Sequence, residues 1–231
     1  MSDSKTRGPQ DEGLGFWGAI TASLSHEINN VFAIINELSG LLDDLFLAAD
    51  HGQAIDPDKM RATTRRISEQ VARGRTHVRQ LNRLAHTVDH PRAMIAVNDE
   101  VEAIASLCGR FASSRRVRIE TRLPAVSPRL EGSAFDMQHL VFRCIDLALA
   151  ACGHGDVVEI GVQPHDDGVR FTVTTGSAGG DLDELEIKGR RLTGLGAAMK
   201  GTVEWVMEAG QPLRLTVSLP RSLSTGEDDD E

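Results

Sequence analysis

The feature that most constrains this chain is a stripe of apolar residues, Ile20, Leu24, Ile28, Val31, Ile35, Leu38, Leu42 and Leu45, spaced by alternating steps of three and four. That spacing keeps one face of an α-helix apolar for about seven turns. It fits no strand, whose side chains change face at every residue. The stripe stops at residues 50–57, DHGQAIDP, where Gly52 and Pro57 interrupt it and Asp56 is placed to cap a second helix with Pro57 in its first turn. A near-heptad stripe follows in Met60, Ile67, Val71, Val78, Leu81, Leu84 and Val88, ending before Pro91. Residues 14–90 therefore read as two long antiparallel helices. A single hairpin leaves part of both stripes uncovered, whereas two hairpins close a four-helix bundle, so a homodimer is expected.

From Val97 the pattern changes. Residues 98–113 and 134–152 carry helical spacing, RVRIETRL at 116–123 alternates, strands are expected at 157–162 and 169–174 around HDDG, a helix from Leu195 to Glu208, and a last strand at 213–219. This order predicts an α+β sandwich over 97–220, with helices on one mostly antiparallel sheet. Residues 1–13 and the acidic residues 221–231 are expected to be disordered. Phe16 and Trp17 are expected to cap the bundle, and Trp205 to pack under the final sheet.

Composition narrows the partners. With 34 acidic against 25 basic side chains the net charge is −9, which weighs against nucleic acid. Cys108, Cys144 and Cys152 form no CxxC pair, and no apolar signal-like segment opens the chain, so free thiols and a cytoplasmic location are expected. No stretch approaches the roughly 20 apolar residues of a membrane span. His86 and His90 fit the end of a helix better than a metal site, since Thr87 stands where a zinc-protease pattern needs Glu, and no metal is expected. Arg61, Arg65, Arg66, Arg73, Arg75, Arg79 and Arg83 read as a solvated face.

The chemistry concentrates in Leu24-Ser25-His26-Glu27-Ile28-Asn29-Asn30. His26 lies off the apolar stripe, Asn30 stands one turn above it, and Ala33 and Glu37 continue the same ridge. An imidazole nitrogen is a competent nucleophile toward a phosphoryl group when a carboxylate holds its tautomer or takes its proton, and Glu27 is adjacent. An amide at Asn30 could position water for hydrolysis.

SHEINN followed by this stripe resembles the phosphoacceptor box of dimeric sensor histidine kinases. The resemblance implies that His26 is phosphorylated, that Glu27 acts as acid or base, that Asn30 supports dephosphorylation, and that Ser25, Ala33 and Glu37 meet a partner. Val31 stands where that family commonly has proline. The second half resembles a degenerate Bergerat-type ATPase domain. In GSAFDMQHLVFRCIDLALAA the position of the magnesium-binding Asn holds Leu147, and Arg143 stands where another Asn is frequent; magnesium needs oxygen ligands. Thr175 occupies the place of the Asp that contacts adenine. The lid segment is short, and Thr193-Gly194-Leu195-Gly196 resembles a remnant of the glycine turn that receives phosphates, with Gly194 and Gly196 before the expected helix. The implied activity is that of a histidine phosphotransferase passing a phosphoryl group between His26 and receiver-domain aspartates of response regulators without ATP. No cofactor is then bound by this chain, magnesium is expected on the receiver, and a hybrid histidine kinase is an expected donor. An active kinase with an atypical nucleotide site, a non-catalytic adaptor and a phosphatase stay open as alternatives.

Overall fold

In a computed structural model the structure describes residues 9–87, 92–166, 168–176, 179–206 and 211–223, with backbone only for 9–12. The chain divides into two compact units, one of residues 18–85 and one of residues up to 17 and from 86 onward.

The first unit is a helical hairpin made from α1 (Pro9–Asp50), beyond its first turns, and α2 (Pro57–His86). The connection follows from local chemistry. Gly52 takes φ +85°, its N–H donates to the Ala49 carbonyl and that of Gln53 to the Ala48 carbonyl, which satisfies the last carbonyls of α1. Oδ1 of Asp56 then accepts from the N–H of Asp58 (2.9 Å) and Lys59 (3.2 Å), capping α2 as expected.

The seam between the helices differs from the apolar stripe read in the sequence. On α1 Ile20, Leu24, Val31 and Leu38 are buried, Glu27 and Ile34 fall between them at heptad spacing and are half-buried, and Ile28, Ile35 and Leu42 are half-buried as well. On α2 the inward set is Thr63, Ile67, Gln70, Gly74, His77, Leu81 and Leu84, whereas Val71 and Val78 are exposed, at 47% and 45%. A Cβ on Gly74 would lie 3.2 Å from Cγ1 of Val31, which marks the close approach of the two helices.

The second unit is α+β. It contains β1 (Ala93–Ala96), α3 (Val97–Ser114), β2 (Arg118–Arg122), β3 (Arg129–Gly132), α4 (Ala134–Ala151), β4 (Val157–His165), β5 (Gly168–Thr175), α5 (Leu182–Ala198), β6 (Thr202–Val206) and β7 (Arg214–Pro220). The main sheet runs β2-β4-β5-β7-β6, with β2 parallel to β4 and every other pairing antiparallel. β1 and β3 pair separately. Burial alternates along β5, β7 and the first part of β4: Val158, Ile160 and Val162, Val169, Phe171 and Val173, and Leu215, Val217 and Leu219 are buried, and with Leu140, Ile145 and Leu147 of α4 they belong to the core. Ser133 caps α4, its side chain accepting from the N–H of Asp136.

Five expectations change. The helix over Leu195–Glu208 is absent; α5 ends at Ala198 and Thr202–Val206 is the edge strand β6. Asp181, whose side chain accepts from the N–H of Asp183, starts the helix much earlier than the glycines suggested. Lys200 with φ +54° and Gly201 then turn the chain into β-branched residues that favour a strand. Trp205 accordingly lies on an edge strand against Gly189 of α5. Phe16 and Trp17 do not cap the bundle: Phe16 packs on Phe135, His139 and Phe142 of α4, with ring centroids 5.0–5.7 Å apart, and Trp17 stacks on Phe135. Helix α1 begins at Pro9, inside the leader expected to lack order, with proline at a first-turn position that needs no N–H donor. Arg221–Leu223 also belong to the fold, where Glu131 exchanges backbone hydrogen bonds with Arg221 and Leu223. Residues 1–8, His90 and residues 224–231 lie outside the described set.

Candidate functional site

The hairpin places the phosphoacceptor candidates on α1. His26 is exposed, as are Ser25, Asn30, Ala33 and Glu37, so the ridge inferred from four-residue spacing is open to solvent. Glu27 is different. One residue from His26 the helix has turned by about 100°, and this carboxylate points into the α1–α2 seam. Its Oε2 accepts from Nη2 of Arg73 at 2.6 Å, and Nε2 of His77, one turn further along α2, is 3.9 Å from the same oxygen. Neither ring nitrogen of His77 has a hydrogen-bond partner among the described residues. Arg73, one of the arginines expected on a solvated face, is half exposed but bonded to Glu27, and His77 is a site residue that the sequence pattern does not mark as apolar or catalytic. The signal was present in the stripe Thr63, Ile67, Gln70, Gly74, His77, Leu81 and Leu84, whose heptad spacing is more regular than the apolar stripe, but its polar members hide it from a search for apolar residues.

In the second unit the positions that the sequence resemblance ties to nucleotide chemistry make contacts of their own. Leu147 is fully buried in α4. Arg143 donates from Nε to Nε2 of His139 at 3.1 Å. Burial, with the Arg143 charge second, pushes the His139 imidazole down to about 4, and its ring stacks on Phe16. Oγ1 of Thr175, buried at the end of β5, accepts from the N–H of Leu213 at 3.0 Å. Lys188 of α5 bridges to Asp146 of α4 at 2.6 Å. The three thiols are free, and burial raises Cys144 to about 12.

No family model matches the chain, and no curated protein matches it. Solved structures do. Full-length ShkA in complex with AMPPNP superposes with a TM-score of 0.50 at 15% identity, over 87% of this chain and 47% of that one. The histidine kinase AdeS of Acinetobacter baumannii gives 0.47 at 14% identity over 83% of this chain and 97% of that one, and a histidine kinase from Burkholderia phymatum STM815 gives 0.44 at 14% over 85% and 98%. The fold is that of a histidine kinase.

Within this histidine-kinase fold the glycine turn needs correction. Gly194 and Gly196 were expected ahead of a helix, with backbone N–H groups free for phosphate, and both instead lie in the last turns of α5. Amides there are used by the helix itself, so the anion-binding geometry of a helix N-terminus is missing at these residues. Gly196 serves packing: a Cβ there would collide with Cγ2 of Val203 on β6. Leu147 offers no oxygen ligand for magnesium, and the Thr175 hydroxyl accepts from the N–H of Leu213, so neither residue supplies the carboxamide or carboxylate that the resemblance places there. Among the described residues no cluster of metal-ligating side chains occurs, and no helix is long and apolar enough to cross a membrane.

Proposed function

We propose that this chain is a two-component signalling protein, a histidine phosphotransferase that carries a phosphoryl group on His26 between receiver-domain aspartates without using ATP. The observation that carries the reading is the exposed His26 on a helical hairpin, with Asn30 exposed one turn above it and Glu27, the next residue in the chain, turned to Arg73 of α2. In the forward step a ring nitrogen of His26 attacks the phosphorus of an aspartyl phosphate on the receiver. The N–P bond forms, the P–O bond to the aspartate breaks, and its electron pair returns to that carboxylate. The proton on the other ring nitrogen leaves to a base, the role assigned to Glu27. Magnesium held by the receiver neutralises phosphate charge, so this chain supplies position and the partner supplies the metal. Ser25, Ala33 and Glu37 are the docking surface on the open ridge.

A second copy of the hairpin fits the apolar residues that one chain leaves uncovered. Phe32 is 62% exposed, Phe46, Val71 and Val78 are close to half exposed, and on α1 Phe32 and Phe46 share heptad spacing with half-buried Ile28, Ile35 and Leu42. A four-helix bundle formed by two chains buries such a stripe.

The competing reading is an ATP-using kinase, favoured by the shared fold with ShkA, which was solved with AMPPNP. Leu147 and Thr175 oppose it. The test is to incubate the purified protein with radiolabelled ATP and magnesium, and separately with a phosphorylated receiver domain, comparing wild type with His26→Ala. Label from the receiver alone, lost in His26→Ala, is the expected result. Label from ATP alone makes the chain a kinase, loss of receiver phosphate without label on His26 makes it a phosphatase, and no transfer or hydrolysis despite receiver binding makes it an adaptor.

A further inference from the structure

We propose that the second unit binds an extended segment of a partner protein, which adds as an antiparallel strand to the free edge of β2 and lays alternate side chains against α3. The segment carries the pattern apolar, basic, apolar, acidic, and its binding does not depend on phosphate at His26.

β2 ends the main sheet, so one of its edges has no strand beside it among the described residues. The N–H of Arg118 donates to the carbonyl of Asp156, just ahead of β4, at 3.0 Å. That bond turns the backbone of Arg118, Glu120 and Arg122 toward β4 and leaves the N–H and C=O groups of Ile119 and Thr121 on the free edge. Beside the edge runs a groove of about 600 Å³ whose other wall is α3. Its helix residues Glu102, Ser106, Gly109 and Ser113 recur at steps of four, three and four, with Ala105 beside them, and all but the first are small enough for a backbone to approach. From Glu102 to Ser113 the helix rises about 16 Å, the length of about five strand residues. An added strand suits such an edge and wall, with main-chain hydrogen bonds along β2 and alternate side chains in the groove.

Register and charge fix the sequence of that strand. Ile119 and Thr121 sit beside the buried Val158 and Ile160, on the helix-covered face of the sheet, so the residues opposite them point into the groove and are apolar. Arg118 and Glu120 lie on the other face, 73% and 51% exposed, with 3.9 Å between their charged atoms, the outer limit of an ion pair. An antiparallel strand with an acid opposite Arg118 and a base opposite Glu120 gives each a closer partner, and cross-strand pairing favours that order over its reverse. Charged side chains on a short edge strand also repel unmatched strands, which makes β2 selective.

The test is fluorescence anisotropy of the full-length protein with a labelled, end-capped peptide Ser-Val-Lys-Val-Glu-Ser and with its charge-reversed form Ser-Val-Glu-Val-Lys-Ser. Saturable binding of one peptide per chain is expected, about 10-fold tighter for the first peptide than for the second. Binding is lost when both valines are N-methylated, because those residues exchange main-chain hydrogen bonds with Ile119 and Thr121. Gly109→Leu blocks the groove without disturbing the fold: a Cβ there meets nothing within 4 Å, and leucine suits a helix better than glycine, so the melting temperature holds or rises while binding weakens by about 10-fold or more. Exchanging the charges, Arg118→Glu together with Glu120→Arg, reverses the preference between the two peptides. Absence of saturable binding, binding that Gly109→Leu leaves unchanged, or equal affinity for the two peptides overturns the proposal. A protein that ignores both peptides but sediments as a larger assembly, reduced by Gly109→Leu, also overturns it: the edge is then a contact with a second copy, whose Val117-Arg118-Ile119-Glu120 carries the same pattern.

Discussion

The indole of Trp205 on β6 occupies the space a side chain would need at Gly189 of α5, with Cε2 2.5 Å from where a Cβ would stand. This contact joins an edge strand to a helix that the sequence placed elsewhere, and it distinguishes two glycines on the same helix. Gly189→Ala forces the indole or the helix to move and is expected to cost about 1–3 kcal/mol, the usual range for overpacking. Gly194→Ala meets nothing within 4 Å and lies in a helix interior. It is expected to stabilise by about 0.5–1 kcal/mol, the ordinary preference for alanine over glycine in a helix. Urea unfolding of both variants checks the pair. Loss of stability in Gly194→Ala would contradict the placement of that residue in α5.

Acid should weaken the second unit through His139. Its imidazole is held near 4 in the folded chain, against about 6.5 when unfolded. A depressed folded value means that the unfolded chain binds the proton first as pH falls. Stability from this group is therefore complete above about 6.5, declines between about 6.5 and 4, and reaches its floor below 4, a loss of up to about 3 kcal/mol. Denaturation midpoints followed from pH 8 to pH 4 should show that slope in the wild type and a flatter one in His139→Phe.

Restoring the residue types of an active kinase should not restore a nucleotide site. Leu147→Asn puts an amide where the side chain is fully buried among apolar neighbours, and a cost of about 2–5 kcal/mol is expected from lost packing and an unsatisfied polar group. Calorimetry with ATP and magnesium should show no binding by the folded fraction of this variant. Measurable affinity would return the chain to the kinase reading.

Thr175→Val keeps the shape of the residue and removes the hydroxyl that accepts from Leu213. Leaving that buried N–H without this acceptor should cost about 1–3 kcal/mol. The comparison with Thr175→Ser, which keeps the oxygen, isolates the hydrogen bond by thermal unfolding.

Much of the hairpin is legible in the sequence because its signals are local. The three-and-four spacing on α1, Gly52 in the left-handed region and the Asp56–Pro57 cap act through residues a few positions apart, and the exposed ridge of His26, Asn30, Ala33 and Glu37 follows from the helical repeat alone. The failures sit where local signals were ambiguous. Two glycines near the end of α5 imitate the turn before a helix, because close packing on Val203 asks for glycine just as phosphate binding does.

The sequence by itself determined that the first half is a helical hairpin, that the second half is α+β, and that His26 stands on an open face, since periodicity and capping are properties of neighbouring residues. Tertiary structure decided what those faces meet. Only the approach of α2 shows that Glu27 is turned to Arg73 and His77, and only the packing of α4 against α1 shows that Phe16 and His139 share a core. Partners separated by 46 residues in one case and 123 in the other leave no periodic trace, because their pairing is fixed by which surfaces can exclude water together.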